Sequence, residues 1–218
     1  MEENLLKSLL RPEAYDDLPR SVRLKQTHIS YIFITDNYVY KVKKTVDFGF
    51  LNFTTVDRRR FYCEEEVRLN RRLSADVYLG VHEVRMSEEG ATFTGNGPII
   101  DYAVKMLRLP DEQMLDRLLE DGLVDDNTML RIASTVAQFH LTSEKSPEID
   151  QYGSPDSIRK IWDENFLQVS QFVGRSITSE TFEMLRGWVN RFISGNSHLF
   201  KQRVDNGYIR DCDGDLHL

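Results

Sequence analysis

The sequence predicts an α+β fold in which a sheet-rich N-terminal half precedes a helix-rich C-terminal half. Residues 24–43 are rich in β-branched and aromatic side chains, and residues 77–107 have a similar composition on both sides of a glycine-rich turn. After Pro110 the apolar residues recur instead at helical spacing. With 218 residues, of which 40% are hydrophobic, the chain can form one large domain or two lobes around a shared cleft.

The N-terminal half is expected to form a short helix and a mostly antiparallel sheet. A stripe of leucines predicts an amphipathic helix over residues 2–10. Alternating and β-branched segments predict strands at about 22–28, 31–35, 38–43, 77–86 and 99–107. Between the third and fourth of these strands, the charged segment 58–73 predicts one prominent helix.

Helices dominate the C-terminal half. They are expected over 111–122, 125–143, 154–174 and 178–207, the last with a bend near Gly195, before a short strand at "YIRD". The order of elements predicts an N-terminal helical extension (1–24), a first lobe (25–107) and a helical second lobe (108–218).

Composition excludes several classes of function. A formal charge of −7 argues against nonspecific nucleic-acid binding, which needs a cationic surface. Two cysteines and five scattered histidines form neither a disulfide framework nor a zinc motif. The N-terminus has no long apolar run, so we expect neither a signal peptide nor a membrane span, and a cytoplasmic location.

Two charged residues are notable because each lies on an apolar face. In the strand "NYVYKVKK", Lys41 shares a face with Val39. In the following helix, Glu66 shares a stripe with Leu69 and Leu73. A semi-buried lysine needs an anionic partner, which Glu66 can supply. The alternatives are a lysine that extends to solvent along the surface and a solvated glutamate.

The final ten residues, "IRDCDGDLHL", place Asp215 in a loop after the expected strand. Gly214 permits tight backbone geometry before it. A carboxylate held in a loop can accept a proton from an attacking hydroxyl. The alternative is a polar tail without a role, because such turns are common.

In this order, the strand lysine, the helix glutamate and the late "GDLH" loop resemble the aminoglycoside phosphotransferase family, which is protein-kinase-like. "DGDLH" at 213–217 is similar to the family's H-G-D-L-H-x-x-N catalytic loop, and "AQFH" at 137–140 and "EVRLNRRL" at 66–73 are similar to two of its helical segments. "VYKVKKTVDFGFLNF" at 39–53 resembles a bacterial subgroup in which the domain is often fused to a C-terminal P-loop ATPase domain. The resemblance covers residues 25–218.

The resemblance implies a two-lobed kinase-like fold and an ATP-dependent transfer of a phosphoryl group to the hydroxyl of an unidentified small molecule, with Mg²⁺ as the metal. Asp215 would be the catalytic base. Lys41 would contact the α- and β-phosphates and pair with Glu66, with Lys43 as the rival lysine on the same face.

The remaining contacts implied by the resemblance lie at the nucleotide and at the acceptor. Ser30, in the turn after the first strand, would contact the phosphates. Main-chain groups near Met106 and Arg108, in the connector between the lobes, would bind the adenine. Exposed acids of the later helices would either meet a cationic acceptor or form a solvated face; they are Asp163, Glu164, Glu180 and Glu183.

The sequence departs from the family pattern at two places. Asp213 stands where the family usually has histidine, which adds a negative charge two residues before Asp215. The metal-binding Asn and the second metal-binding Asp are expected beyond residue 218, so we expect a fragment of a longer protein with negligible transfer by itself. Two further hypotheses stay open: a catalytically degenerate module that binds a nucleotide or a fused ATPase partner, and an interaction domain with no affinity for nucleotide.

Overall fold

The computed structural model describes residues 3–214 and residue 216. The chain divides into two compact units, the first extending to Val124 and the second beginning at Asp125. Residues 108–124, expected in the second lobe, group with the first unit. The mixed α+β class predicted from the sequence is confirmed. None of the described helices has both the length and the apolar character that a membrane-spanning helix requires.

The first unit is built on a six-stranded antiparallel sheet with the order β1-β2-β3-β6-β4-β5. The strands are β1 Arg23–Gln26, β2 Ser30–Ile34, β3 Tyr38–Lys43, β4 Tyr78–Ser87, β5 Gly90–Thr92 and β6 Ile99–Leu107. The five predicted strands are present, and the short β5 is an additional one in the glycine-rich turn. Strand β3 pairs with β2 on one side and β6 on the other, so it is an internal strand.

One long helix, α2 (Val56–Ser74), packs against one face of this sheet. Thr55 caps it, because its side chain accepts a hydrogen bond from the Arg58 N–H. The most buried side chains of α2 are Arg59, Cys63 and Val67, which recur every four residues as a helix face requires. Leu69 and Leu73, expected to face the sheet, are only half-buried. The buried stripe of Arg59, Cys63 and Val67 is rotated around the helix axis by about one residue from the stripe that contains these leucines.

The opposite face of the sheet carries the larger apolar core and is covered by the N-terminal segment. Leu9 and Tyr15, which follow helix α1 (Glu3–Ser8), are buried there together with Phe33 and Tyr40. The N–H of Ala91 donates to the Ser8 hydroxyl at 2.8 Å, and the N–H of Phe93 donates to the Ala14 carbonyl at 2.8 Å. The segment predicted as a separate extension is therefore an integral part of the first unit.

The second unit is helical, and its buried hydrophobic residues among those described are Phe139, Phe182, Val189 and Ile193. The first unit also contains the short helix α3 (Leu115–Glu120). The helices of the second unit are α4 Asp126–Thr142, α5 Pro147–Asp150, α6 Pro155–Ser170, α7 Ser179–Gly195 and α8 Ser197–Asp205.

Two predictions for this unit need correction. The helix over 178–207, expected to bend near Gly195, is interrupted there and forms two helices. Asn196 leaves the helical conformation, and its N–H and side-chain amide both donate to the Phe192 carbonyl. The strand expected at "YIRD" is absent from the described residues. Among the described residues this segment has no neighbouring strand to pair with. It bonds instead to the end of α4, where Arg210 donates to the carbonyls of Leu141 and Ser143.

Candidate functional site

Three charged side chains meet between strand β3 and helix α2 in the first unit. The Lys41 Nζ lies 2.8 Å from Glu66 Oε1, and the Lys43 Nζ lies 2.6 Å from Glu66 Oε2. Each oxygen of one carboxylate thus accepts a charge-assisted hydrogen bond from a different lysine. The contact predicted between Lys41 and Glu66 is present, and the rival Lys43 shares the same partner.

The strand period places both lysines on the face that carries the helix. Residues directly opposite each other in an antiparallel pair share a face, and Lys41 is opposite Val104 of β6 while Lys43 is opposite Ser30 of β2. Val104 belongs to the cluster that packs under α2. Glu66 precedes the buried Val67 by one residue, so the helix holds the carboxylate at the margin of this apolar contact.

The three side chains differ in their access to solvent. The side chain of Lys43 is 5% exposed and that of Glu66 is 15% exposed, whereas that of Lys41 is 28% exposed. Burial alone acts to raise the pKa of Glu66, but the charges of Lys43 and then Lys41 hold that pKa below its ordinary value. The carboxylate is therefore ionised at neutral pH, and the cluster of two ammonium groups and one carboxylate has one excess positive charge.

A second buried ion pair joins α2 to the sheet, and no sequence pattern had predicted it. Arg59 of α2 donates to Asp101 of β6 at 2.8 Å, and the two side chains are 7% and 5% exposed. Arg59 also donates to the Phe53 carbonyl at 2.9 Å. This pair is electrically balanced and joins the start of the helix to the sheet. The sequence feature that could have predicted this pair is the position of Arg59, four residues before Cys63 and thus on the same helix face.

Ser30 lies next to this cluster in the sheet, but its main-chain N–H is already hydrogen-bonded and its hydroxyl is buried away from solvent. Its N–H donates to the Thr27 hydroxyl at 3.0 Å, within a tight turn in which the N–H of Ile29 donates to the same hydroxyl. Its own hydroxyl is fully buried, and no hydrogen bond reaches it from the described part of the chain. A phosphate contact at Ser30 stays a prediction and would require this turn to open.

The end of β6, predicted as the adenine contact, is already hydrogen-bonded within the first unit. Met106 is half-buried against the cluster under α2. The N–H groups of Leu107 and Arg108 donate to the carbonyls of Val77 and Asn37, each at 2.9 Å, and the Arg108 side chain donates to the Thr35 carbonyl at 3.2 Å. Adenine recognition at Met106 and Arg108 stays a prediction, and it would depend on groups other than these two amides.

Asp215, the predicted catalytic base, lies outside the described residues, and its role stays a prediction. The segment before it is described: the N–H of Asp211 donates to the Glu144 carbonyl at 3.0 Å, and Gly214 adopts a φ of 81°. The acids expected to meet a cationic acceptor (Asp163, Glu164, Glu180 and Glu183) are all exposed. Within residues 3–214 and 216, no three His, Cys, Asp or Glu side chains form a group that could hold a metal ion.

Comparisons with known proteins identify distant relatives. The chain is 27% identical over 195 residues to an uncharacterized protein of Mycobacterium tuberculosis and, to the same extent, to an uncharacterized protein of Mycobacterium bovis. The match covers 89% of this chain but 38% of each relative, so the chain spans well under half of their length. No family model and no solved structure matches the chain.

Proposed function

We propose that this chain is the kinase-like part of an ATP-dependent phosphotransferase that acts on a hydroxyl of a small molecule. The observation that carries the proposal is the ion pair between Lys41 on an internal strand and Glu66 on the helix that packs against that strand. A phosphotransferase of this kind needs a positioned cation at the nucleotide phosphates.

The charge of the cluster supports a phosphate ligand. Two lysines and one glutamate leave one positive charge uncompensated, and Lys41 is the more exposed of the two lysines. A lysine ammonium is a compact point charge suited to phosphate oxygens. Lys41 would therefore bind the α- and β-phosphates while Glu66 fixes its position.

The arrangement of the sheet also supports this function. A twisted antiparallel sheet with one helix across it places the lysine, the glutamate and the end of β6 in a single unit. ATP would lie along the helix-bearing face, with its phosphates at Lys41 and its adenine near Met106 and Arg108. The protein-kinase-like fold is part of this proposal.

Catalysis is assigned to the loop at the end of the chain. Asp215 would accept the proton of the acceptor hydroxyl. When bound, Mg²⁺ would neutralise charge on the phosphates, but the described residues do not provide a set of ligands that fits it. Because the relatives are much longer than this chain, a fused or associated P-loop ATPase domain is proposed only for the whole protein.

A second candidate is a nucleotide-binding module without catalysis, and Asp213 favours it. This carboxylate replaces the histidine of the family's loop and lies two residues before the proposed base. A second negative charge in this loop opposes the approach of phosphate.

Calorimetric titration with Mg-ATP tests both candidates. We expect the wild-type chain to bind Mg-ATP, Lys41→Met to lose at least about tenfold in affinity, and Lys160→Met, which removes an exposed lysine of α6, to bind like the wild type. Absence of binding by the wild type would contradict both candidates. Transfer of phosphate from ATP to a panel of hydroxylated small molecules by the whole protein, lost in Asp215→Asn, would support the enzyme. A whole protein that binds Mg-ATP without transfer would support the module.

A further inference from the structure

We infer that Lys43 is a positioning residue that neutralises Glu66 from within the first unit and so leaves the charge of Lys41 available to an anionic ligand. The inference rests on the proposed phosphate site at Lys41 and deepens it. It assigns different roles to two lysines that are two residues apart on one strand face and that bind the same carboxylate.

The geometry distinguishes the two lysines. Lys43 is held 2.6 Å from Glu66 Oε2 and is 5% exposed, so its ammonium cannot reach a ligand in solution. Its Nζ also lies 5.0 Å from the centre of the Phe53 ring, a cation–π contact on the side away from solvent. Lys41 binds the other carboxylate oxygen and is 28% exposed, so it can contact Glu66 and a ligand together.

Electrostatics explains why a second lysine matters. If Lys41 were the only cation at Glu66, the pair would be neutral, and an anionic ligand would compete with the carboxylate for a single ammonium group. With Lys43 in place, Glu66 is compensated from the buried side. The neighbouring Arg59–Asp101 pair does not change this balance, because it contains one charge of each sign.

Lys43 also favours the ionised form of Glu66. Among the groups that lower the pKa of Glu66 against the effect of burial, Lys43 contributes most and Lys41 follows. Asn70 does not contribute, since its uncharged side-chain amide donates to the Glu66 main-chain carbonyl rather than to the carboxylate. The buried Lys43 therefore holds Glu66 Oε2 at 2.6 Å, while the more exposed Lys41, at Glu66 Oε1, faces the side from which a ligand can approach.

The test is the affinity of the chain for tripolyphosphate, measured by calorimetry at low salt for the wild type, Lys43→Met and Lys43→Met/Glu66→Gln. The wild type has a net cluster charge of +1, the single variant has zero, and the double variant is again +1. We expect the single variant to bind about tenfold more weakly and the double variant to recover most of that loss. A lysine that only supports packing would give no recovery.

Two further variants keep the test decisive if Lys43→Met does not fold. Lys43→Arg preserves the charge and should keep the wild-type affinity. Glu66→Gln alone, which leaves both lysines, should bind tripolyphosphate at least as tightly as the wild type. Unchanged affinity in a folded Lys43→Met, no recovery in the folded double variant, or a tenfold loss in Glu66→Gln would each overturn the inference.

The same titrations separate the inference from the proposed function. Binding of tripolyphosphate with the expected pattern, but no binding of Mg-ATP, would leave the role of Lys43 standing and contradict the kinase-like function. Binding of Mg-ATP that is insensitive to Lys43→Met would overturn the inference and leave the function standing. A wild-type chain that binds neither ligand would overturn both.

Discussion

The two faces of the sheet in the first unit differ in the side chains that they bury. One face is closed by the N-terminal segment and is almost wholly apolar, with Tyr15, Phe33 and Tyr40 fully buried. The other face carries α2 and contains charged groups at the same depth, among them Lys43 and Arg59. The first face has the composition of an ordinary core, whereas the second holds ions that a core does not need.

This difference indicates where function lies. Buried ion pairs are costly to desolvate, and apolar residues of similar volume are often at least as stabilising. The Arg59–Asp101 pair is balanced and can be explained by architecture alone. The cluster of Lys41, Lys43 and Glu66 is not balanced, and a partly exposed excess charge has no use in packing. We therefore associate the apolar face with stability and the helix-bearing face with ligand binding.

The largest loss of stability is expected from the apolar face. Phe33→Ala should lower the free energy of unfolding by about 4 kcal/mol, because it removes a fully buried ring and leaves a cavity. Urea denaturation measures the change. Phe61→Ala, which truncates a ring that is 55% exposed, should change it by less than about 0.5 kcal/mol. Equal effects of the two variants would contradict the assignment of the core.

Glu66→Ala should be nearly as damaging, although it removes a charged side chain. It leaves the buried Lys43 without its anionic partner, which costs about 3 kcal/mol of unfolding free energy. Glu64→Ala, on the exposed side of the same helix, should cost about 0.5 kcal/mol or less. Both values come from urea denaturation at neutral pH. A mild effect of Glu66→Ala would show that the helix-bearing face does not depend on the cluster.

Lys41→Met should change stability little and ligand binding strongly. Glu66 keeps its bond to Lys43 in this variant, so we expect a loss of no more than about 1 kcal/mol in the free energy of unfolding. The same protein should lose its affinity for phosphate ligands. A Lys41→Met variant that is unfolded, or that binds Mg-ATP as tightly as the wild type, would contradict the assignment of ligand binding to the helix-bearing face.

The smallest expected effect is a pH dependence on the apolar face. Burial first, and then the charge of Lys105, lower the pKa of His82, while Asp16 opposes the shift. The unfolded chain therefore binds this proton more readily than the folded chain. The contribution of neutral His82 to the free energy of unfolding is fully present above the ordinary histidine pKa of about 6.5 and is lost as pH falls below it. Melting temperatures at pH 7.5 and 5.5 should show a decrease that His82→Gln reduces and His28→Gln, at an exposed turn, does not.

Local patterns were sufficient to predict much of the sheet and the central contact. Alternation along β3 predicts that Lys41 lies on the face that carries the helix, and it does. The stripe shared with Leu69 and Leu73 predicts that Glu66 faces the sheet, but Glu66 reaches β3 from the margin of the neighbouring stripe of Arg59, Cys63 and Val67. These periodicities depend on neighbouring residues and are visible in the sequence. They also identified Lys43 as a rival, but they could not show that one carboxylate binds both lysines, since that depends on depth and register.

Long-range contacts account for what the sequence could not predict. Arg59 and Asp101 are 42 residues apart, and Ser8 and Ala91 are 83 residues apart, so no local pattern links them. Local patterns therefore predict an N-terminal extension over residues 1–24, although this segment packs onto the sheet. "YIRD" has the composition of a strand, but a strand forms only beside a partner, and the backbone there pairs with the end of α4 instead.

The most direct test of a phosphate site at Lys41 is covalent labelling with an acyl phosphate derivative of ATP, in which a lysine amine held at the phosphates takes the acyl group and releases the nucleotide. Peptide mapping by mass spectrometry then identifies the labelled lysine. We predict modification of Lys41 in preference to the buried Lys43 and the exposed Lys160, and protection by excess Mg-ATP. Labelling spread evenly over exposed lysines, or labelling of Lys41 that Mg-ATP does not reduce, would contradict a nucleotide phosphate site between β3 and α2.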